Sequence, residues 1–256
     1  RTFTKKNIMK QKIIGVLLTY NCEKLVQKAI DNIPFSEFDE IICSDDGSLD
    51  NTSELVKKNN IKILNNKHKG YGGNLFAGMN EAFKMGATHV IELHGDGQYD
   101  FGQVKFMKEK FHLGADLVLG NRFYSYLQPL KDQMGIIKYL GNIFLTFIAS
   151  IGLSLKSRDL FPGFRGYSRN FYEKIDTSNT SQYYWFSFEI IAQCKYLNLN
   201  IKDVDVKCDY KAEHHSMPMS KAIPAILYTL KVILLYRLAK LGIKYSFFKN
   251  FGNGKN

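Results

Sequence analysis

Along its first half the chain alternates short apolar runs with amphipathic segments, which restricts the fold more than any other feature. Ile13-Ile14-Gly15-Val16-Leu17-Leu18 reads as a strand buried on both faces, and residues 23–33 as a helix closed by Pro34. The pattern repeats, with strands over 39–44, 61–64, 89–93 and 116–119 and helices over 52–59, 74–85 and 104–111. Strands separated by helices imply an α/β fold: a mostly parallel central sheet flanked by helices. Ligands of such sheets bind beyond the carboxyl ends of the strands. The polar clusters lie at those ends: Thr19-Tyr20-Asn21-Cys22-Glu23, Asp45-Asp46-Gly47-Ser48, His94-Gly95-Asp96-Gly97-Gln98 and Gly120-Asn121-Arg122. One such cluster is ordinary loop polarity; four on one edge of one sheet make a site.

The second half is less regular. Residues 139–155 carry no charge and read as an interfacial or buried helix, 187–199 as a helix and 201–206 as a strand. Residues 223–243 form a long apolar helix interrupted by Lys231, Arg237 and Lys240. Arg237, Lys240 and Lys244 share one helical face, as in a helix resting on anionic lipid, while Lys231 on the opposite face disfavours a helix that spans the bilayer.

Lys and Arg number 35 against 24 acids, a net charge of +11 that favours a polyanionic partner: nucleic acid, a phosphate-bearing substrate or an anionic membrane. Carboxylates at the strand ends would repel a phosphate backbone, so nucleic acid is not an expected partner. The four cysteines have no zinc-like spacing and read as reduced thiols, which suggests a cytoplasmic protein held peripherally on the membrane face. The sequence begins at Arg1 rather than Met, and residues 1–7 are expected to lie outside the fold.

Asp45 and Asp46 offer carboxylates that can accept the imide N–H of uracil or the N1–H and amino group of guanine; an Asx turn capping the next helix uses the same residues. Asp96 and the Gln98 amide are hard oxygen donors suited to Mg²⁺ or Mn²⁺, with His94 as a third ligand or a pocket wall. Such an ion would neutralise a departing nucleotide diphosphate. His68-Lys69-Gly70-Tyr71-Gly72-Gly73-Asn74 is similar to a phosphate-cradling glycine loop at a helix N-terminus, without a Walker or dinucleotide pattern. Arg122 and Arg165 are candidates for phosphate contacts, and His214-His215 for closing over the site.

Taken in order, these residues resemble a family-2 glycosyltransferase of the GT-A fold, close to the dolichyl- and polyprenyl-phosphate sugar synthases. The resemblance spans residues 12–221. Its motifs are Tyr20-Asn21-x-Glu23, Asp45-Asp46-Gly47-Ser48-x-Asp50-x-Thr52, the Gly-rich stretch 66–78, Gly95-Asp96-Gly97-Gln98, Gly120-Asn121-Arg122, Pro162-Gly163-Phe164-Arg165-Gly166-Tyr167-Ser168-Arg169 and Phe188-Glu189. The resemblance implies that Tyr20, Glu23 and Asp45 hold the nucleoside, with Asn21, Asp46, Gly72 and Arg122 completing the nucleotide set. Asp96 and Gln98 would hold the metal, and Glu189 would lie near the acceptor, so Asp96, Glu189 and Arg165 form the candidate catalytic set. His94 stands where the family often has Asp.

The expected organisation is one GT-A domain over 8–221 and a C-terminal amphipathic helix over 222–256. Residues 8–122 would be its Rossmann-like nucleotide-sugar half and 123–221 its acceptor half. The expected reaction is metal-dependent, inverting transfer of a sugar from a UDP- or GDP-linked donor to a polyprenyl-phosphate or lipid-linked acceptor. The alternatives are transfer to a soluble or glycan hydroxyl, for which Glu189 and then Asp159 are the candidate bases, or nucleotidyl transfer.

Overall fold

A computed structural model describes residues 11–211 and 222–243. Seven strands form one sheet: β1 (Ile13–Thr19), β2 (Glu40–Asp45), β3 (Lys62–Asn65), β4 (His89–His94), β5 (Leu117–Asn121), β6 (Arg165–Ser168) and β7 (Ile201–Asp205). Their order is β3-β2-β1-β4-β6-β5-β7, and only β6 runs antiparallel to its neighbours. All seven residues of β1 are buried. Ile14, Val16 and Leu18 face one helical layer while Ile13 and Leu17 face the other, as the period-2 pleat requires.

The helices are α1 (Glu23–Asp31), α2 (Thr52–Lys58), α3 (Gly70–Lys84), α4 (Val104–His112), α5 (Gln128–Lys131), α6 (Ile136–Leu153), α7 (Arg169–Lys174), α8 (Phe186–Tyr196) and α9 (Ala222–Lys240). Helices α1, α2 and α4 cover one sheet face through Val26, Ala29, Val56, Met107 and Phe111. The other is covered by α3, α6, α7, α8 and α9 through residues such as Met79, Ala149, Phe171, Ile190 and Val232. The expected fold class holds, and strands one to five fall where the apolar runs place them.

Several elements differ from expectation, among them the short helices α5 and α7, for which no helix was expected. Strand β6 is an addition: its sequence Arg-Gly-Tyr-Ser has no apolar run, yet all four residues are buried between β4 and β5. Helix α3 starts at Gly70 rather than Asn74, so the glycine loop is its first turn. Helix α6, expected to be interfacial or buried, has one stripe of each kind: Thr146, Ala149, Gly152 and Leu153 face inward, while Ile136, Leu140, Phe144, Phe147 and Ile151 are exposed along its other side.

Helix α9 packs against α6, and a Cβ on Gly152 would fall 2.6 Å from Ile233, so only glycine permits that approach. Arg237 of α9 turns back to donate to the Gly152 and Ile151 carbonyls at 2.7 and 2.8 Å, satisfying the open end of α6. The Lys240 ammonium lies over the Tyr196 ring. These two cations therefore serve packing, while Lys244 lies outside the described residues, and the outward stripe of α9 is Ile223, Leu227, Leu230 and Leu234.

Candidate active site

Parallel register brings the strand ends together: Thr19 pairs with Asp45, and Leu18 with His94. Beyond these ends lies a cavity of about 650 Å³. Of the predicted site residues, Tyr20, Asp46, His94, Asp96, Gln98 and Arg122 line it. Asn21, Glu23, Asp45, Gly72, Arg165 and Glu189 do not reach its wall.

The Asp96 end is a tight turn after β4. Gly97 has φ +63°, and Asp96 Oδ1 accepts the Gln98 N–H at 3.0 Å, which fixes both side chains at the cavity. The Gln98 Nε2 is buried with no hydrogen-bond partner among the described residues, so its NH₂ is left to donate to an acceptor on a ligand. His94 Nε2 lies 2.9 Å from both Glu92 Oε1 and the Gly163 carbonyl. A carbonyl only accepts, so that nitrogen carries a proton and donates. Burial opposes charge on His94, but Glu92, with Asp96 and the Gly163 carbonyl, more than offsets it and raises the pKa. With Nε2–H committed to Glu92 and Gly163, His94 has only Nδ1 left to meet an ion, beside the oxygen donors Asp96 and Gln98.

Glu92 itself is fully buried in β4 and accepts from the Tyr71 and Tyr167 hydroxyls as well as from His94. It was not among the predicted residues. An acid inside the apolar run Val90-Ile91-Glu92-Leu93 was its sequence signal, since a buried carboxylate needs a built set of partners.

At the other end Tyr20 stacks on His68, with ring centroids 4.6 Å apart. Asp46 accepts the N–H groups of Lys69 and Gly70 at 2.7 and 3.0 Å and lies 2.9 Å from His68 Nδ1. It is thus the anion at the positive N-terminus of α3. The next amides are also taken: Gly72 and Gly73 donate to the Gln182 carbonyl at 2.8 and 3.2 Å. A Cβ on Gly72 would meet the Phe186 ring at 2.7 Å. Its lack of a side chain serves the packing of α3 on α8, so the glycine turn does not hold its amides open for phosphate.

Asp45 accepts the Thr19 hydroxyl at 2.7 Å and the Ser48 N–H and hydroxyl at 2.9 and 2.6 Å, the Asx-turn arrangement. Asn21 donates its N–H to Ser48 Oγ and accepts from Leu49, and Glu23 accepts both nitrogens of Asn51. These three hold the loops that carry Tyr20 and Asp46. Asp45→Asn is therefore expected to lower stability by about 1–3 kcal/mol, because three donors lose a charged acceptor and an amide has only one oxygen to offer them. Urea denaturation measures this, and an unchanged midpoint would contradict the assignment.

On the remaining wall Arg122 is clamped by Asp159, with Nε–Oδ2 at 2.7 Å and Nη2–Oδ1 at 2.9 Å, and also donates to Tyr210 and Asn142. Asp159 is thereby committed to the guanidinium rather than poised as a base. Arg165 is fully buried under the cavity and donates to the Pro162 and Ser187 carbonyls. Glu189, in α8, accepts the Ser181 N–H at 2.7 Å and the Tyr228 hydroxyl. Burial raises its pKa, and those two donors pull it back.

Two further features of the wall were unforeseen. Lys138 faces the cavity from α6, its ammonium 4.9 Å from the Tyr210 ring centroid, and Tyr183, Tyr184 and Trp185 add aromatic surface. A lone lysine in an apolar helix, and three consecutive aromatics ahead of one, were their traces in the sequence. His214 and His215 lie outside the described residues.

The model of the family described as glycosyl transferase family 2 matches residues 16–176, which carry every strand end described above except that of β7. An uncharacterized protein of Methanocaldococcus jannaschii is 30% identical over 79% of this chain and 84% of its own length. The UDP-N-acetylglucosamine–dolichyl-phosphate N-acetylglucosaminyltransferase of Methanococcus voltae is 27% identical over 79% of this chain and 88% of its own. Among solved structures, glucosyl-3-phosphoglycerate synthase of Mycobacterium tuberculosis, in complex with Mn²⁺, UDP and glucosyl-3-phosphoglycerate, superposes with a TM-score of 0.61 at 16% identity. It covers 92% of this chain and 82% of that one, a likeness of GT-A fold. With its strand-end cavity on that fold and the family model spanning most of the chain, this protein belongs to glycosyl transferase family 2 and is a glycosyltransferase.

Proposed function

We propose that the protein transfers a sugar from a nucleotide diphosphate sugar, UDP-linked in the first instance, to a polyprenyl phosphate at a membrane surface. The observation that carries this reading is the continuity of the cavity. Its wall runs from Asp96 and Gln98 to Ile137, Lys138 and Leu145 of α6 and Ala225 and Tyr228 of α9. The outward sides of those two helices are the largest exposed apolar stripes described above. A lipid acceptor needs such a path from an apolar phase to a charged reaction centre.

Similarity supports both substrates. The Methanococcus voltae relative is named for a UDP-linked donor and a dolichyl-phosphate acceptor, and a Mycolicibacterium smegmatis relative, 24% identical over 59% of each chain, is named polyprenol monophosphomannose synthase. The Mycobacterium tuberculosis structure contains UDP and Mn²⁺.

The acids of this chain favour a phosphate over a hydroxyl acceptor. Among the described residues, the carboxylates lining the cavity are Asp46, which caps α3, and Asp96. The two candidate bases, Glu189 and Asp159, have their oxygens engaged elsewhere. An acceptor phosphate is anionic near neutral pH and needs no base. Lys138, half-buried on the acceptor wall, is suited to meet it. Burial, and then Arg122, lower its pKa, so a bound anion would restore its charge preference.

The metal fits as a guest of the substrate. Asp96 and Gln98 supply two hard oxygens, and no cluster of three His, Cys, Asp or Glu ligands occurs among the described residues. Mg²⁺ and Mn²⁺ sites commonly draw their remaining ligands from substrate phosphates and water. When bound, the ion would supply charge neutralisation for the leaving diphosphate. Tyr20 and Asp46 would frame the nucleoside, and in-line attack on C1 from the α6–α9 side inverts the anomeric centre.

The four cysteines are free and buried, which suits the reducing, cytoplasmic side of the membrane. Helices α6 and α9, of 18 and 19 residues, are long and apolar enough to span a bilayer. Each keeps an inward stripe against the protein, which favours lying on the surface. The protein is therefore expected to float with anionic vesicles at low salt, and failure to do so would remove the membrane reading. Incubation with labelled UDP-N-acetylglucosamine, Mn²⁺ and polyprenyl phosphate in such vesicles should place label in the lipid fraction. Label appearing only on soluble glycans would favour a hydroxyl acceptor instead.

A further inference from the structure

Glu189 belongs to the family-like motif, but its geometry is that of a bracket. Its carboxylate is 2% exposed, and each oxygen is met by a donor from a different segment: Tyr228 of α9 and the Ser181 N–H of the loop before α8. The next residue of that loop, Gln182, offers its carbonyl to Gly72 and Gly73 in the first turn of α3. Gly70 is pressed against the same carbonyl, where a Cβ would fall at 2.8 Å. One turn earlier the α3 terminus is held by Asp46, at the nucleotide end of the cavity. Trp185 of the loop stacks on Tyr228, with centroids 5.3 Å apart and an interplanar angle of 28°. A continuous line of contacts thus runs from α9 through Tyr228, Glu189, Ser181 and Gln182 to the start of α3.

We propose that Glu189 is a positioning residue that locks the 181–185 loop between α9 and α3, so that the seating of the apolar helix sets the nucleotide end of the cavity. The part played by α9 at a lipid surface rests on the function proposed above; the bracket itself does not. A general base must aim an oxygen at the acceptor. Neither oxygen of Glu189 reaches the cavity wall, and both are taken. Its carboxylate is tolerated in an apolar layer because both partners donate to it.

Glutamine separates the two roles. In Glu189→Gln the amide oxygen can still accept from Ser181, and the NH₂ can donate to the Tyr228 oxygen, but the side chain cannot take a proton. Alanine removes both contacts, and Tyr228→Phe removes one. Three readouts are compared: binding of UDP, with GDP in parallel, in the presence of Mn²⁺ but no acceptor; donor KM and kcat in the vesicle transfer assay; and amide hydrogen exchange over residues 70–76. Glu189→Gln is expected to keep kcat within about threefold of the native value and to leave exchange unchanged. Glu189→Ala and Tyr228→Phe are expected to speed exchange in 70–76, weaken nucleotide binding and raise donor KM, by about tenfold for alanine, the scale of a lost hydrogen bond to a charged group. Loss of kcat in Glu189→Gln, with native nucleotide binding and exchange, would overturn the proposal and make Glu189 a base. Native exchange and nucleotide affinity in both Glu189→Ala and Tyr228→Phe would also overturn it. If Glu189→Ala does not fold, Tyr228→Phe and Glu189→Gln still decide. If the native protein transfers nothing to lipid, the function proposed above fails, while hydrogen exchange still reads the bracket.

Discussion

Replacing Asp96 with alanine is expected to abolish sugar transfer, by on the order of 10³-fold or more, and to remove metal-dependent nucleotide binding with the fold intact. Asp96 sits in the turn after β4, whose strand register with β1 is set by buried apolar pairs and does not depend on it. Within the turn its carboxylate accepts the N–H of Gln98, a local bond whose loss costs about 1 kcal/mol. The effect on chemistry is much larger. With His94 held as a donor by Glu92 and the Gly163 carbonyl, Asp96 is the only carboxylate in the proposed ion-binding pair. Losing it takes away the charge that would hold a divalent ion against a diphosphate. Calorimetric titration of UDP with and without Mn²⁺, beside a circular dichroism melt, separates binding from folding. A variant that kept full activity and Mn²⁺-dependent binding would remove Asp96 from the site.

Much of this was legible in the sequence because parallel strands buried on both faces leave continuous apolar runs, as in 13–18. The polar clusters after those runs then had to meet at one edge. Strand β6 left no such run, since Arg165 and Ser168 are buried by neighbours distant in sequence rather than by their own hydrophobicity. The start of α3 was hidden for a related reason. Gly70, Gly72 and Gly73 are weak helix formers, and the Gln182 carbonyl and Phe186 ring that hold them lie over a hundred residues away.

The site divides along the same line. Asp96 and Gln98 could be placed at the cavity directly, because one five-residue turn after a strand carries both. The roles of Asp45, Glu23 and Glu189 depend on which groups face them, and sequence does not tell a carboxylate that holds a loop from one that holds a ligand. Glu92 was missed because a polar residue inside a strand resembles noise until Tyr71, Tyr167 and His94 are seen around it.

Removing Asp159 should unfold the protein more readily than any other single change at the site. Its carboxylate takes two guanidinium bonds from Arg122 and the Arg122 backbone N–H at 3.1 Å, all buried, and the Phe161 N–H at 3.2 Å. Burial works against the charge on Arg122, and Asp159 more than offsets it, pushing the pKa up. Asp159→Ala would leave a charged guanidinium buried with only Tyr210, Asn142 and the Phe161 carbonyl as partners. Breaking one side of such a pair costs about 3–5 kcal/mol, which corresponds to a fall in Tm on the order of 10 °C for a chain of this size. Removing both charges, in Arg122→Met with Asp159→Leu, is expected to recover most of that loss, because the desolvation of two ions disappears with their attraction. The double variant should still transfer poorly, since Arg122 lines the cavity. Differential scanning calorimetry on the three proteins measures the coupling. If Asp159→Ala melted within 2 °C of the native protein, the pair would be solvated in solution, and Arg122 would be a mobile cation of the cavity rather than a fixed part of its wall.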